Sequence, residues 1–258
     1  TYGFPLELTQ EIAGEHDLLV DVKGFDTAME QQRKRAKDAS VSIDLTLQDS
    51  IDQLVVDQKE TNFLGYEVLE ERSVVQGLVV NAESVDQGVA GDRVQIILDR
   101  TPFYAEGGGQ IGDCGVLVSD SLNSDSFIVD IDTVIKNRNV FVHSGCISCG
   151  TLKVGDVVVG RVNALSRRRA QSNHTATHLL QAALKKIVAS EISQAGSLVN
   201  FDRLRFDFYS PRAVTIDELE RIEKLINSWI AEAYVLDVQE MNIEDAKSAG
   251  AVAMFGEK

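Results

Sequence analysis

Between residues 58 and 163 one pattern repeats: a short run rich in β-branched side chains, then a turn built on glycine or aspartate. The runs are Val74–Val80, Arg93–Leu98, Phe127–Ile135, Val140–His143 and Val154–Val162. The turns include Gly88, Gly91-Asp92 and Gly155-Asp156. Several short strands at such spacing cannot each bury a face alone and must close on one another, as a small barrel or a sandwich. The Ser/Asp/Asn-rich stretch 119–126 reads as an exposed loop between two strands.

The flanks carry other periodicities. Residues 1–58 read as helical, with Thr9 as a cap for a helix through Glu11, Ile12 and His16, and Gly24-Phe25-Asp26 opening a second helix. Gln31 to Lys37 is a basic cluster or, more plainly, a solvated helix face. After residue 164, Leu179, Leu180, Ala183, Leu184, Ile187 and Val188 recur at helical spacing. Ser197-Leu198-Val199 and Leu204 to Phe208 suggest a hairpin. Thr215-Ile216-Asp217-Glu218 has the form of a capping box. It precedes an apolar stripe of Leu219, Ile222, Ile226, Trp229 and Ala233. Tyr234 to Gln239 then suggests a strand, and Ile243 to Ala249 a short helix. The fold class is α+β: a helical segment over 1–58, a small β-barrel module over 59–163, and an α+β module over 164–258 whose His-bearing helix packs on a sheet.

The balance of 25 Lys and Arg against 40 Asp and Glu gives a formal net charge of −15. That charge opposes nonspecific grip on nucleic acid, so any RNA contact must come from local basic patches. There is no apolar run of membrane-spanning length and no leader-like N-terminus. Three cysteines in 258 residues suit reduced thiols. These features suggest a cytoplasmic setting, with mitochondrion or chloroplast as alternatives, and neither a membrane nor DNA as partner. The chain opens at Thr1 without Met and stops at Lys258 straight after an apolar stretch, which suggests a piece of a larger protein.

The sharpest local feature is His174-Thr175-Ala176-Thr177-His178. Residues four apart share one helix face, so two imidazoles so placed can hold one divalent ion, with zinc the default for paired nitrogen ligands. A zinc protease would need Glu directly after the first His, where Thr175 stands. Two helix histidines at a wet groove is the plain alternative, and two ligands are fewer than the three or four zinc takes. His143 lies in the β region. Cys146-Ile147-Ser148-Cys149 has ligand spacing, but a lone pair of this kind reads more simply as reduced turn cysteines. Gly107-Gly108-Gly109-Gln110, beside Tyr104 and Glu106, is neither a P-loop nor a dinucleotide fingerprint. It permits close approach of backbone to a ligand or is merely a tight turn. Arg167-Arg168-Arg169 can touch phosphates, with Lys185, Lys186, Arg203 and Arg205 near in sequence, or can be a solvated helix start.

Taken together these residues resemble the alanyl-tRNA synthetase family. The likeness lies in Thr1 to Thr9, Phe25 to Ala39, Phe103 to Gln110, Asn173 to Leu180, Ser193 to Val199, Arg205 to Phe208 and Phe255 to Lys258. Free-standing editing proteins and threonyl-tRNA synthetase share only the His-bearing part, and the N-terminal stretch argues against a stand-alone trans-editing hydrolase. A noncatalytic tRNA-binding module is the third reading.

The resemblance implies the end of a tRNA-recognition region followed by most of an editing domain, a zinc-dependent hydrolase that clears wrongly charged tRNA-Ala. It implies His174 and His178 as zinc ligands, Thr177, Gln194 and Ser197 as lining of the editing pocket, and Gly107 to Gln110 beside it, with Gln110 counted among the working residues. The family's remaining two ligands come from a Cys-x-x-x-His motif beyond the Phe-Gly-Glu-Lys stretch, so the zinc site is expected to be incomplete here. ATP and Mg belong to an aminoacylation core that precedes residue 1 in the family.

An editing role has physical sense. An activation pocket shaped for alanine rejects glycine or serine by only about 1–3 kcal/mol. A second site whose polar groups pair with the serine hydroxyl leaves those groups unpaired against alanine. That argument accounts for serine and not for glycine.

Overall fold

A computed structural model of the chain describes residues 6–16, 18–39, 60–120, 126–235, 239 and 241–250. The chain divides into two compact units, Thr1–Gln48 and Asp49–Lys258.

The first unit holds helices α1 (Leu6–Glu15) and α2 (Val22–Ala39). Both begin earlier than the sequence reading places them. Thr9 lies inside α1, which begins at Leu6. The cap of α2 is Asp21, whose carboxylate accepts the Gly24 backbone N–H at 2.9 Å. The backbone of α2 runs through the basic cluster. The stretch Thr1 to Pro5 lies outside the described residues.

The second unit is built around a barrel. Its strands in chain order are β1 (Asn62–Phe63), β2 (Glu70–Val80), β3 (Glu83–Ser84), β4 (Gln87–Val89), β5 (Arg93–Leu98), β6 (Arg100–Thr101), β7 (Gly115–Ser119), β8 (Ile128–Asn137), β9 (Val140–Cys149), β10 (Thr151–Lys153) and β11 (Val157–Val162). Six of them pair antiparallel in the circular order β11, β7, β8, β9, β5, β2 and back to β11. Closure removes the strand edges that an open sheet would expose. The lumen is filled by Leu78, Ile96, Leu98, Leu117, Val129, Val134, Ile147 and Val158, all buried. Along β8 the inward residues change phase, from Val129 and Ile131 to Val134. The register shift between Ile131 and Thr133 produces this change, because a bulge inserts one residue and so flips which side chains face in. β7 is absent from the β-branched runs recognised in the sequence, since Gly115 and the adjoining loop interrupt its pattern. Residues 121–125 of the expected Ser/Asp/Asn loop lie outside the described residues.

Past the barrel, α3 (Ala164–Ile187) packs on a hairpin of β12 (Ser193–Val199) and β13 (Leu204–Tyr209) and against α4 (Ile216–Glu232). Ala183, Leu184, Ile192 and Ile222 form the buried centre of this module, with Leu180, Phe206, Phe208 and Trp229 packed around it. Asn163 caps α3 by accepting the Ser166 N–H at 3.0 Å. The capping box of α4 is formed: Thr215 Oγ1 accepts from the Glu218 N–H, and the Glu218 carboxylate accepts from the Thr215 N–H. Arg212 also donates to the Glu218 carboxylate, and these bonds hold its carboxyl down at about 2. The expected apolar stripe is only partly buried, Leu219 being 53% exposed, and Ala233 is the left-handed cap of α4 instead of a member of its face. Tyr234, Val235 and Gln239 form no strand, and 236–238 lie outside the described residues. α5 (Ile243–Ser248) follows as expected. The architecture is α+β, with a helical segment, a barrel, and a His-bearing helix on a small sheet. Among the described residues no helix is long and apolar enough to cross a membrane.

Candidate functional site

The site is assembled where the glycine loop of the barrel meets α3 and β12. His174 and His178 stand one turn apart on α3, their rings stacked with centroids 5.2 Å apart and planes 14° from parallel. His174 is half-buried and His178 exposed. Gln110 is 5% exposed, and its Oε1 lies 2.8 Å from His174 Nδ1. With the amide oxygen toward the ring, Nδ1 carries the proton and Nε2 the lone pair. This is the arrangement in which a neighbouring acceptor fixes the tautomer and orientation of a metal-binding imidazole.

The loop reaches this position through backbone pairing. Gly107 and Gln110 exchange N–H···O bonds of 3.0 and 2.9 Å. Val199 N–H donates to Gly109 O at 2.7 Å, and Ile111 N–H to Val199 O at 3.0 Å. The loop is thus pinned to the end of β12 by one parallel bridge between Gln110 and Val199. Gly109, at φ +76°, is pressed so close to Ser197 that a Cβ would collide with its hydroxyl and crowd its carbonyl. Gln194 Nε2 donates to Ser197 Oγ at 3.2 Å, so both side chains lie on the same stretch of β12.

Thr177 is buried at 6% exposure, and its hydroxyl donates to Asn173 O at 2.9 Å. Its donor is committed to its own helix, and only its lone pairs remain to face a ligand. Asn173 in turn donates to Asn200 O at 2.7 Å, tying α3 to the end of β12.

The arginine triple divides. Arg167 does not face outward as a phosphate contact would require. It is 5% exposed, in a buried ion pair with Asp113, and its guanidinium also donates to Gly65 O at 2.6 Å and Pro102 O at 2.8 Å. Helix periodicity decides this: position 167 falls on the face that meets the barrel, while Arg168 and Arg169 are exposed. Asp113 accepts the Tyr104 N–H at 2.7 Å as well, so one buried pair holds the glycine loop to the helix bearing both histidines. The sequence carries no local sign of this pair, because its partners stand 54 positions apart. Of the other basic residues, Arg205 pairs with Asp207 at 3.1 Å and Lys186 lies 5.7 Å over the Trp229 ring.

The paired imidazoles have the donor chemistry of a zinc site, and Gln110 already orients one of them. Among the described residues no third His, Cys, Asp or Glu joins them. His143 is fully buried in the barrel, its Nε2 2.7 Å from Thr101 Oγ1 and its Nδ1 3.1 Å from Ile96 O. Burial pushes its pKa down to about 4. Cys146 and Cys149 lie within strand β9 and not in a turn. All three cysteines are free.

The family model for class II (A) tRNA synthetases matches residues 1–166, and the chain belongs to that family. Among individual relatives, it is 67% identical over its full length to the alanine–tRNA ligase of Synechococcus sp. (strain WH7803). It is 62% identical to that of Prochlorococcus marinus (strain MIT 9313) and 63% to that of Synechococcus sp. (strain CC9311). The chain spans 29% of the length of each.

Proposed function

We propose that this chain is the editing region of an alanine–tRNA ligase, hydrolysing serine or glycine wrongly esterified to tRNA-Ala. ATP-dependent attachment of alanine belongs to the whole protein, with its ATP and Mg bound outside this chain. The observation that carries the reading is the convergence of Gln110, His174 and Ser197, from barrel, helix and hairpin, on one place. The barrel loop meets the helix through the Gln110–His174 contact and lies against Ser197 of the hairpin through Gly109, so polar groups from three elements border one place.

His174 and His178 would hold zinc together with ligands from beyond them, and the ion when bound supplies Lewis-acid polarisation or an activated water. Gln110 keeps the His174 ring oriented. Thr177, its hydroxyl proton committed to Asn173, offers only acceptor lone pairs to a serine hydroxyl. Gln194, bonded to Ser197, offers amide groups from the other wall. Alanine leaves these groups unpaired, which favours hydrolysis of the serine ester. Arg168 and Arg169, both exposed on α3, would meet RNA phosphates, with tRNA-Ala as the partner. The working compartment is the cytoplasm.

The test is His174→Ala in the full-length protein. Loss of Ser-tRNA-Ala clearance with alanine attachment retained is expected. Equal clearance by variant and parent overturns the assignment.

A further inference from the structure

A second cavity, of about 520 Å³, opens on the other side of the glycine loop, against the outer wall of the barrel. Its floor is Phe63, stacked on Phe141 with centroids 5.3 Å apart and planes 11° from parallel. Tyr66 meets Phe63 edge-on at 5.0 Å, and Tyr104 does so at 6.3 Å. Tyr66 is 85% exposed, so burial does not explain its placement. It is nevertheless held. The turn that carries it is closed by Glu67 and Val68 N–H bonds to Leu64 O. A Cβ on Gly65 would collide with Pro102 O and the Phe63 ring, so this approach requires glycine.

We propose that this cavity binds a nucleobase of single-stranded RNA, stacked on the exposed ring of Tyr66 with its edge against Phe63, and that the base belongs to the RNA end whose ester the histidine site hydrolyses. The second half rests on the function proposed above.

Aromatic rings fixed beside a groove stack bases with little regard to sequence, because every base has a π face. The rim supplies the rest. Lys136 Nζ lies 5.7 Å from the Phe141 centroid, where a backbone phosphate can meet it. Glu60 and Glu106 bring carboxylates to the opening, Glu60 accepting from Asn139 Nδ2 at 2.5 Å. Carboxylates accept from exocyclic amines and ribose hydroxyls and repel carbonyl-rich edges, so the cavity favours an amino-bearing base over uracil.

The link to the histidines is mechanical. Arg167 donates to the carbonyl of Gly65, next to Tyr66, and pairs with Asp113, which accepts the N–H of Tyr104. One guanidinium on α3 therefore anchors the backbone next to Tyr66 and, through Asp113, that of Tyr104, and α3 itself carries His174 and His178. Tyr104 OH also reaches Gly107 O at 3.5 Å, joining the cavity to the loop whose far end is Gln110.

The test begins with NMR titration of the metal-free chain by adenosine 5′-monophosphate, uridine 5′-monophosphate and ribose 5-phosphate. Saturable shifts of the Phe63, Tyr66 and Tyr104 rings are expected, strongest with the adenosine nucleotide. Tyr66→Ala should weaken that binding about tenfold, and Tyr66→Phe should restore it. Ring shifts that fail to saturate, or that ribose 5-phosphate reproduces, overturn the base site. His174→Ala should leave nucleotide binding intact while ester hydrolysis is lost, so failure of the editing reading shows separately. In the full-length protein, Tyr66→Ala should raise KM for Ser-tRNA-Ala clearance about tenfold with kcat held. An unchanged KM overturns the assignment of the base to the ester-bearing end.

Discussion

Gln110 Oε1 and His174 Nδ1 lie 2.8 Å apart, although 64 residues separate them in the chain. One comes from the loop of a β-barrel and the other from the helix that follows it. The contact makes an imidazole at helical spacing into one with a set tautomer and a set direction.

Removing that acceptor should loosen the ring. Gln110→Ala in the full-length protein should lower zinc affinity by roughly 10–100-fold, as loss of a ligand's outer hydrogen-bond partner typically does. Chelator competition measures it, with Ser-tRNA-Ala hydrolysis falling in parallel. Wild-type affinity in the variant would show that Gln110 does not orient His174.

The three neighbouring arginines should behave differently. Arg167→Met leaves Asp113 buried and unpaired and should cost about 3–5 kcal/mol in denaturant unfolding. Arg167→Lys should recover little, since one ammonium cannot span Asp113, Gly65 O and Pro102 O. Arg168→Ala and Arg169→Ala should each stay within about 0.5 kcal/mol of wild type. Each should instead reduce the salt dependence of tRNA binding by about one counterion. A stable Arg167→Met protein would contradict the buried clip.

Adjacent glycines should also separate. Gly108, at φ +57°, has open space within 4 Å of the point where a Cβ would sit, so Gly108→Ala meets only backbone strain of about 1 kcal/mol. Gly109→Ala, at φ +76°, adds to the same backbone strain a contact with the Ser197 hydroxyl, which must turn away from Gln194 or let the loop shift on β12. Clearance of Ser-tRNA-Ala should fall far more for Gly109→Ala than for Gly108→Ala. Similar losses would mean that loop approach to Ser197 does not matter.

His143 gives the barrel an acid limit. Its pKa of about 4 in the fold lies below the ordinary 6.5, so the unfolded chain binds more protons between those values. Its contribution is complete above about pH 6.5 and is lost as pH falls toward 4, on the order of 3 kcal/mol in all. Glu218, held at about 2 by Arg212 and Thr215, acts in a lower window, present above 4.5 and lost toward 2. Unfolding free energy measured against pH should therefore decline from 6.5 downward, and His143→Gln should flatten the upper part. An unchanged slope in that variant would remove His143 as the cause.

The barrel was legible because its strands are short, β-branched and separated by turn residues. The capping box of α4 was legible because it involves neighbours within a four-residue stretch. Strand β7 was not, since a glycine start and an adjoining loop hide its period. The bulge in β8 was hidden for a related reason: which residue is inserted depends on the strand opposite. Arg167 does not stand out from Arg168 and Arg169 in the sequence, because composition cannot tell which of three consecutive arginines a helix turns inward.

By itself the sequence determined the local elements, the helical spacing of His174 and His178, and the family to which the chain belongs. Those follow from residue type and short-range periodicity. Only the tertiary structure decided that Gln110 meets His174, that Gly109 lies against Ser197, and that Arg167 is buried on Asp113. Each pairs groups distant in the chain, and closure of the barrel with docking of α3 onto it is what brings them within hydrogen-bonding distance.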